Sequence, residues 1–178
     1  RRPQRNLASM SKIVSNATPL IYLAKIDKLD FLQTLFTDVF IAQEVKLEVV
    51  DKGKTIGKKD AYLVENAINA GWIKVLNTPI VDTPIPLDLG ETATLSLAKN
   101  LNIKEVLIDE ASARLAAKLL GLTPRGTLFV ILKNLKKNQI NLEQFIETLN
   151  QLTKQGFRLK QEIYLQAIQE AKKITNQQ

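Results

Sequence analysis

Histidine and cysteine are both absent from this chain of 178 residues, and the two gaps close off whole classes of chemistry. Without histidine there is no Ser–His–Asp or Cys–His relay and no HExxH zinc site. Without cysteine there is no disulfide, no thiolate nucleophile and no zinc–thiolate centre. Catalysis therefore falls to carboxylates, lysine, tyrosine, hydroxyls or a metal held by oxygen alone. Oxygen donors select hard cations such as magnesium or manganese. Long apolar runs are also missing: none approaches the roughly 18 residues that a spanning helix needs, so no membrane partner is expected. Arg1 to Ser9 is polar and has no apolar core of a signal peptide, which with the lack of cysteine points to a reducing cytoplasm. A GxGxxG fingerprint is absent as well, which argues against a dinucleotide site.

What is present is ordinary for a globular domain: 45% hydrophobic and 24% charged residues. The length suits one domain. The formal charge is +7, of which Arg1, Arg2 and Arg5 supply three and leave +4. Those arginines precede Met10, the single methionine. Residues 1–9 therefore read as an appended or unstructured segment, and residues 10–178 as one domain closed by C-terminal helices. A mildly basic balance is compatible with nucleic acid and equally with a solvated face.

Strand and helix signals alternate along the chain. Lys12 to Ser15 reads as a strand that stops at Asn16. Thr18 then suits an N-cap and Pro19 the first helical position, opening one broken or two short helices to about Phe36. Val39 to Ala42, Trp72 to Leu76 and Val106 to Ile108 are further strands, the last apolar without alternation, as a central parallel strand should be. Helices are expected over Gln43 to Val50, Lys59 to Gly71, Asp88 to Asn100, Ala111 to Leu120, Leu128 to Leu135, Leu142 to Thr153 and Leu159 to Lys172. Leu122 to Pro124 is a short extended piece. The stretch from Gly53 to Lys59 looks faintly like a phosphate loop, but its glycine spacing is one short and it reads better as a basic loop. The alternation predicts an α/β fold with a parallel sheet covered on both faces.

In such a sheet the carboxyl ends of the strands share one edge, where ligands bind. Asn16 ends the first strand, and Asp109 and Glu110 follow the fourth. Glu48 lies in the helix after the second strand, and Glu91 in the first turn of the helix after a proline-rich loop. One amide and four carboxylates can converge there. Clustered carboxylates repel unless a divalent cation neutralises them, so one reading is an acidic metal site. Each residue also has a plainer reading. Asp88-Leu-Gly-Glu91 has the spacing of a capping box, Asp109 can cap the helix after it, Asn16 can serve a turn, and Glu44 and Glu48 can both face solvent.

The segments "VSNATPLIYLAKI", "VFIAQEVKLEVV", "LDLGETATLSLAKNL", "VLIDEASARLAAKLLGL" and "RGTLFVILKNLKKNQI", in that order, resemble the PIN domain. They are closest to a bacterial and archaeal branch related to VapC-type toxins, and the similarity runs from about Ile13 to Ala171. The resemblance implies a three-layer α/β/α sandwich with a mostly parallel sheet, and a magnesium- or manganese-dependent ribonuclease activity. It places the four family acids on Asn16, Glu48, Glu91 and Asp109, with Glu110 at a neighbouring acidic position. It implies catalytic roles for Glu48, Glu91 and Asp109, and a metal held by Asn16, Glu91, Asp109 and Glu110. Thr18, Arg114 and Thr127 are the substrate-side candidates. Asn16 departs from the aspartate that much of the family carries; its carbonyl oxygen can still meet a hard cation but brings no charge.

Two functions follow as expectations. One is an endoribonuclease, the toxin of a toxin–antitoxin pair, inhibited by a small antitoxin protein that inserts an arginine among the carboxylates. The alternative is a degenerate PIN-like domain that binds RNA or a protein partner without cleavage. Leu142, Phe145, Ile146, Leu149 and Leu152 form one stripe, expected to pack on the domain, with a homodimer surface as the other reading.

Overall fold

The computed structural model describes residues 11–178; the expectation for residues 1–9 falls outside them. Five short strands form one sheet: β1 (Lys12–Ser15), β2 (Asp38–Ala42), β3 (Ile73–Leu76), β4 (Glu105–Leu107) and β5 (Thr123–Arg125). All neighbouring pairs are parallel, and the order across the sheet is β3-β2-β1-β4-β5. β1 and β4 lie centrally and carry fully buried Ile13, Val14, Val106 and Leu107, which explains their unalternating apolar runs.

The helices are α1 (Ala17–Lys25), α2 (Gln43–Lys46), α3 (Gly53–Thr55), α4 (Lys59–Asn69), α5 (Leu89–Leu101), α6 (Ala111–Leu119), α7 (Thr127–Lys136), α8 (Leu142–Lys154) and α9 (Gln161–Asn176). A 3-10 turn covers Leu29–Leu32, and a π-helical segment, Leu47–Lys52, joins α2 to α3. Helices on both sides of the sheet complete a three-layer α/β/α sandwich of the expected class. α5 lies across β1, β2 and β4, while α1 packs on α4. The α8 stripe packs inward: Phe145, Leu149 and Leu152 are buried and Leu142 and Ile146 partly so, against α7 and α9. Among the described residues no helix is long and apolar enough to cross a membrane.

Three local expectations need correction. α1 begins at Ala17 with Asn16 at the N-cap, so Thr18 is not the cap and Pro19 stands at the third helical position. Its missing N–H is still one of the orphans of a first turn, so nothing is lost. Gly53 does not open a loop; α3 carries the helical path to Thr55, and Lys54 pairs with Glu65 at 2.7 Å. Leu122 to Pro124 falls on a true fifth strand, Thr123–Arg125, whose Pro124 is tolerated because β5 is an edge.

Candidate metal centre

The order of strands reverses direction between β1 and β4, and the chain leaves these two strands toward opposite sides of the sheet. That divergence opens a crevice at their carboxyl ends. Asn16 enters it from β1. Its backbone N–H still donates to Leu107 O of β4 at 2.9 Å, which fixes the residue at the mouth. Although Asn16 is the N-cap of α1, its side chain makes no capping bond. The amide instead faces α5, where Asn16 Oδ1 accepts a long bond of 3.4 Å from Thr94 Oγ1.

The first turn of α5 supplies the floor. A Cβ placed on Gly90 would stand 3.4 Å from Glu48 Oε2, 3.6 Å from Asp88 Oδ1 and 3.8 Å from Asn16 Oδ1. Oxygens from three separate parts of the chain thus rim a hollow that exists because residue 90 has no side chain. Asp88 caps α5, its Oδ1 accepting the Glu91 N–H at 2.8 Å. That is one half of the capping box. The Glu91 side chain makes no return bond: it is only 8% exposed, and its Oε2 is buried without a hydrogen-bond partner.

Glu110 closes the β4 side. Its Oε1 accepts from Thr18 Oγ1 at 2.8 Å, and its Oε2 is buried and also lacks a partner. Glu48 is exposed as a residue, yet its carboxyl end reaches the Gly90 hollow. Charge repulsion links the set. Desolvation, followed by the neighbouring Asp88 and then Glu110, pushes the Glu91 carboxyl up to about 7. Glu48 is raised from the ordinary carboxylate range by partial burial, then by Asp88 and, more weakly, by Glu110, with Lys52 pulling it down.

Asp109 occupies an adjoining cluster. Both its oxygens are engaged: Oδ1 accepts Thr127 N–H at 2.8 Å and Oδ2 accepts Thr127 Oγ1 at 2.7 Å. Arg114 Nη1 donates to Ile108 O at 3.1 Å, and a Cβ on Gly126 would stand 3.1 Å from Asp109 Oδ1 and 3.2 Å from that Nη1. Burial raises the Asp109 carboxyl, against the two Thr127 bonds that lower it. Asp109 therefore caps α7 rather than α6, and Glu110 is the acid beside it that faces the crevice.

Of the residues singled out in the sequence, Asn16, Thr18, Glu48, Glu91 and Glu110 come to one crevice. Asp109, Arg114 and Thr127 sit together next to it, joined to it through the charge of Glu110. Asp88 and Thr94 were not singled out as members. The sequence signal for Asp88 was its capping position, which accounts for the residue without revealing that one carboxylate can both cap α5 and line the crevice. Glu44, whose plainer reading faces solvent, holds a buried Oε2 without a partner.

Among the described residues, no three acidic side chains stand close enough to grip one ion as they are. The chemistry of the donors nonetheless fits a hard divalent cation. All are oxygens, two of them are buried with nothing to accept from, and those of Asn16, Glu48 and Asp88 converge over Gly90. A family model, DUF3368, described as a PIN domain, matches residues 12–173. No curated protein matches the chain.

Proposed function

The chain belongs to the PIN-domain family, a nuclease-type fold, and on that premise we propose that it is a divalent-metal-dependent endoribonuclease. The observation that supports this most is the pair of buried, unpartnered oxygens, Glu91 Oε2 and Glu110 Oε2, in a crevice with Asp88, Glu48 and Asn16. A buried carboxylate oxygen without a donor costs free energy unless a cation meets it. Glu91, Glu110 and Asp88 are the residues that would hold magnesium or manganese, with Asn16 Oδ1 as a neutral ligand. When bound, such an ion stabilises charge on the phosphoryl group and acidifies water.

The protein groups have separable tasks. Thr18 holds Glu110 through its Oε1 and leaves the buried Oε2 free for a cation. Asp109, tied to both donors of Thr127, fixes the start of α7 against the end of β4. Glu48, at the open side with a raised pKa, takes the proton of the attacking water at its carboxylate. Arg114, beside Asp109, supplies positive charge for a phosphate. As the toxin of a toxin–antitoxin pair in the cytoplasm, the protein would be silenced by a small antitoxin that inserts an arginine among these carboxylates.

Manganese and magnesium titrations by calorimetry, run beside cleavage of a labelled RNA, test the proposal. The intact chain should bind metal and cleave, and Glu91→Gln, Glu110→Gln and Asp109→Asn should each lose at least about tenfold in cleavage. Intact protein that neither binds metal at millimolar concentration nor cleaves would overturn it. The neutral Asn16 favours the other reading, a binding module without cleavage, and that outcome would select it.

A further inference from the structure

Phe129 is the phenylalanine that the core does not use. Phe31, Phe36 and Phe145 are buried, and Phe40 and Phe157 pack against the core, whereas Phe129 does neither. It lies partly buried on the face of α7 opposite the buried stripe of Thr127, Val130, Ile131, Asn134 and Leu135. What covers it is cationic. The Arg125 guanidinium stands 4.4 Å from the ring centroid and Lys133 Nζ stands 5.6 Å from it.

Phe129 and Lys133 are four apart and share one face of α7, continued by exposed Lys136, and Arg125, the last residue of β5, reaches the same ring from just before the helix, so the three form one ridge. The anions nearby do not balance it. Arg125 has a loose pair with Glu105 at 3.5 Å, and its Nε is buried without a partner. Lys133 and Lys136 have no ion pair among the described residues. The ridge also starts beside the cluster that adjoins the candidate metal centre. Arg125 is adjacent to Gly126, which lies against Asp109 and Arg114.

We propose that the ridge Arg125–Phe129–Lys133 is a track for the single-stranded RNA that flanks the scissile phosphate. Phe129 stacks an unpaired base, Arg125 and Lys133 take the adjoining phosphates, and no base edge is read. This inference rests on the ribonuclease reading for its ligand class. An aromatic ring between cations is the arrangement that single-stranded nucleic acid uses without sequence preference. Lys133, the more distant cation, yields its place on the ring to a base and turns its ammonium to phosphate. A duplex keeps its bases stacked away from the ring and gains only the charge contacts.

The test is fluorescence anisotropy of a labelled uridine-rich 12-mer on the full chain in EDTA, across a salt series, with metal affinity measured separately by manganese calorimetry. Phe129→Leu, which keeps apolar bulk, should weaken binding about tenfold with little change in salt dependence. Arg125→Gln combined with Lys133→Gln should lower the slope of log K against log salt by about 1.4, two contacts at about 0.7 each. Manganese affinity should stay at the level of the intact chain in both. Variants that bind the RNA as tightly as the intact chain would overturn the track. So would an intact chain that binds no single-stranded RNA, or variants whose one change is a shift in sedimentation, which would assign the ridge to a protein partner. Variants that bind weakly in a chain that never cleaves would support the track and overturn the nuclease reading alone.

Discussion

Glu91 is a carboxyl that the fold holds protonated well above its ordinary range, at about 7 against 4.5. The folded chain therefore binds a proton at Glu91 that the unfolded chain has already lost between those two values. Its favourable contribution is complete below pH ~4.5 and is lost as pH rises through about 7. Glu91→Gln keeps the shape and removes the charge. Without metal, it should leave the melting temperature near that of the intact chain at pH 5 and stabilise the protein by about 1–3 kcal/mol at pH 8. Thermal melts in EDTA at the two pH values check this; equal effects at both would mean that Glu91 does not titrate in this window. Asn16→Asp probes the same crevice from the opposite side. It adds a charge beside Glu48 and Asp88, so it should lower stability without metal and tighten manganese binding about tenfold. Calorimetry that finds manganese affinity unchanged or weaker would place Asn16 outside the ligand set.

At the scale of elements, the helical path from α2 through the π segment to α3 is the most sensitive piece. It carries Glu48 and ends against α4, where a Cβ on Gly53 would stand 2.7 Å from Ala61 Cβ, and Ala61 is fully buried. Gly53→Ala should cost about 1–3 kcal/mol through overpacking, read as a lower urea midpoint with an unchanged slope. Wild-type stability in that variant would show that α3 can lift off α4. The π segment also shows what pattern reading misses. Runs such as Ile13-Val14 and Val106-Leu107-Ile108 identify buried strands because parallel strands hide both faces, and Gly71 and the Asp88 cap mark helix ends by local chemistry. A π turn has no residue signature, so the reach of Glu48 toward Gly90 was not visible. Thr18-Pro19 satisfied a start rule two residues downstream of the true start. The site was legible as a set of strand-end acids; their partition into a crevice around Glu110 and a capping pair, Asp109 with Thr127, was not, because both depend on which side chain the tertiary contacts turn inward.

For the whole molecule, repulsion in the crevice makes stability depend on what fills it. A ligand that binds only the folded state at one hundred times its dissociation constant stabilises by about 2.7 kcal/mol. Manganese at that level should raise the melting temperature by several degrees at pH 8. Because the ion must displace protons below pH ~7, a given metal concentration should give a smaller rise at pH 5. Equal rises at both values would show an ion bound away from Glu91.

The hydrogen bond between Thr18 and Glu110 joins residues 92 positions apart, and the β1–β4 pairing has the same reach. Closing so long a loop is among the slower events of folding, since the entropy of closure must be overcome before any contact rewards it. The Glu110 side of the crevice accordingly closes late. A chain still emerging during synthesis has its first strand and Asn16 in place long before Glu110 exists to face them. Whatever the crevice does begins only when β4 has taken its seat beside β1, after well over half of the chain has been made.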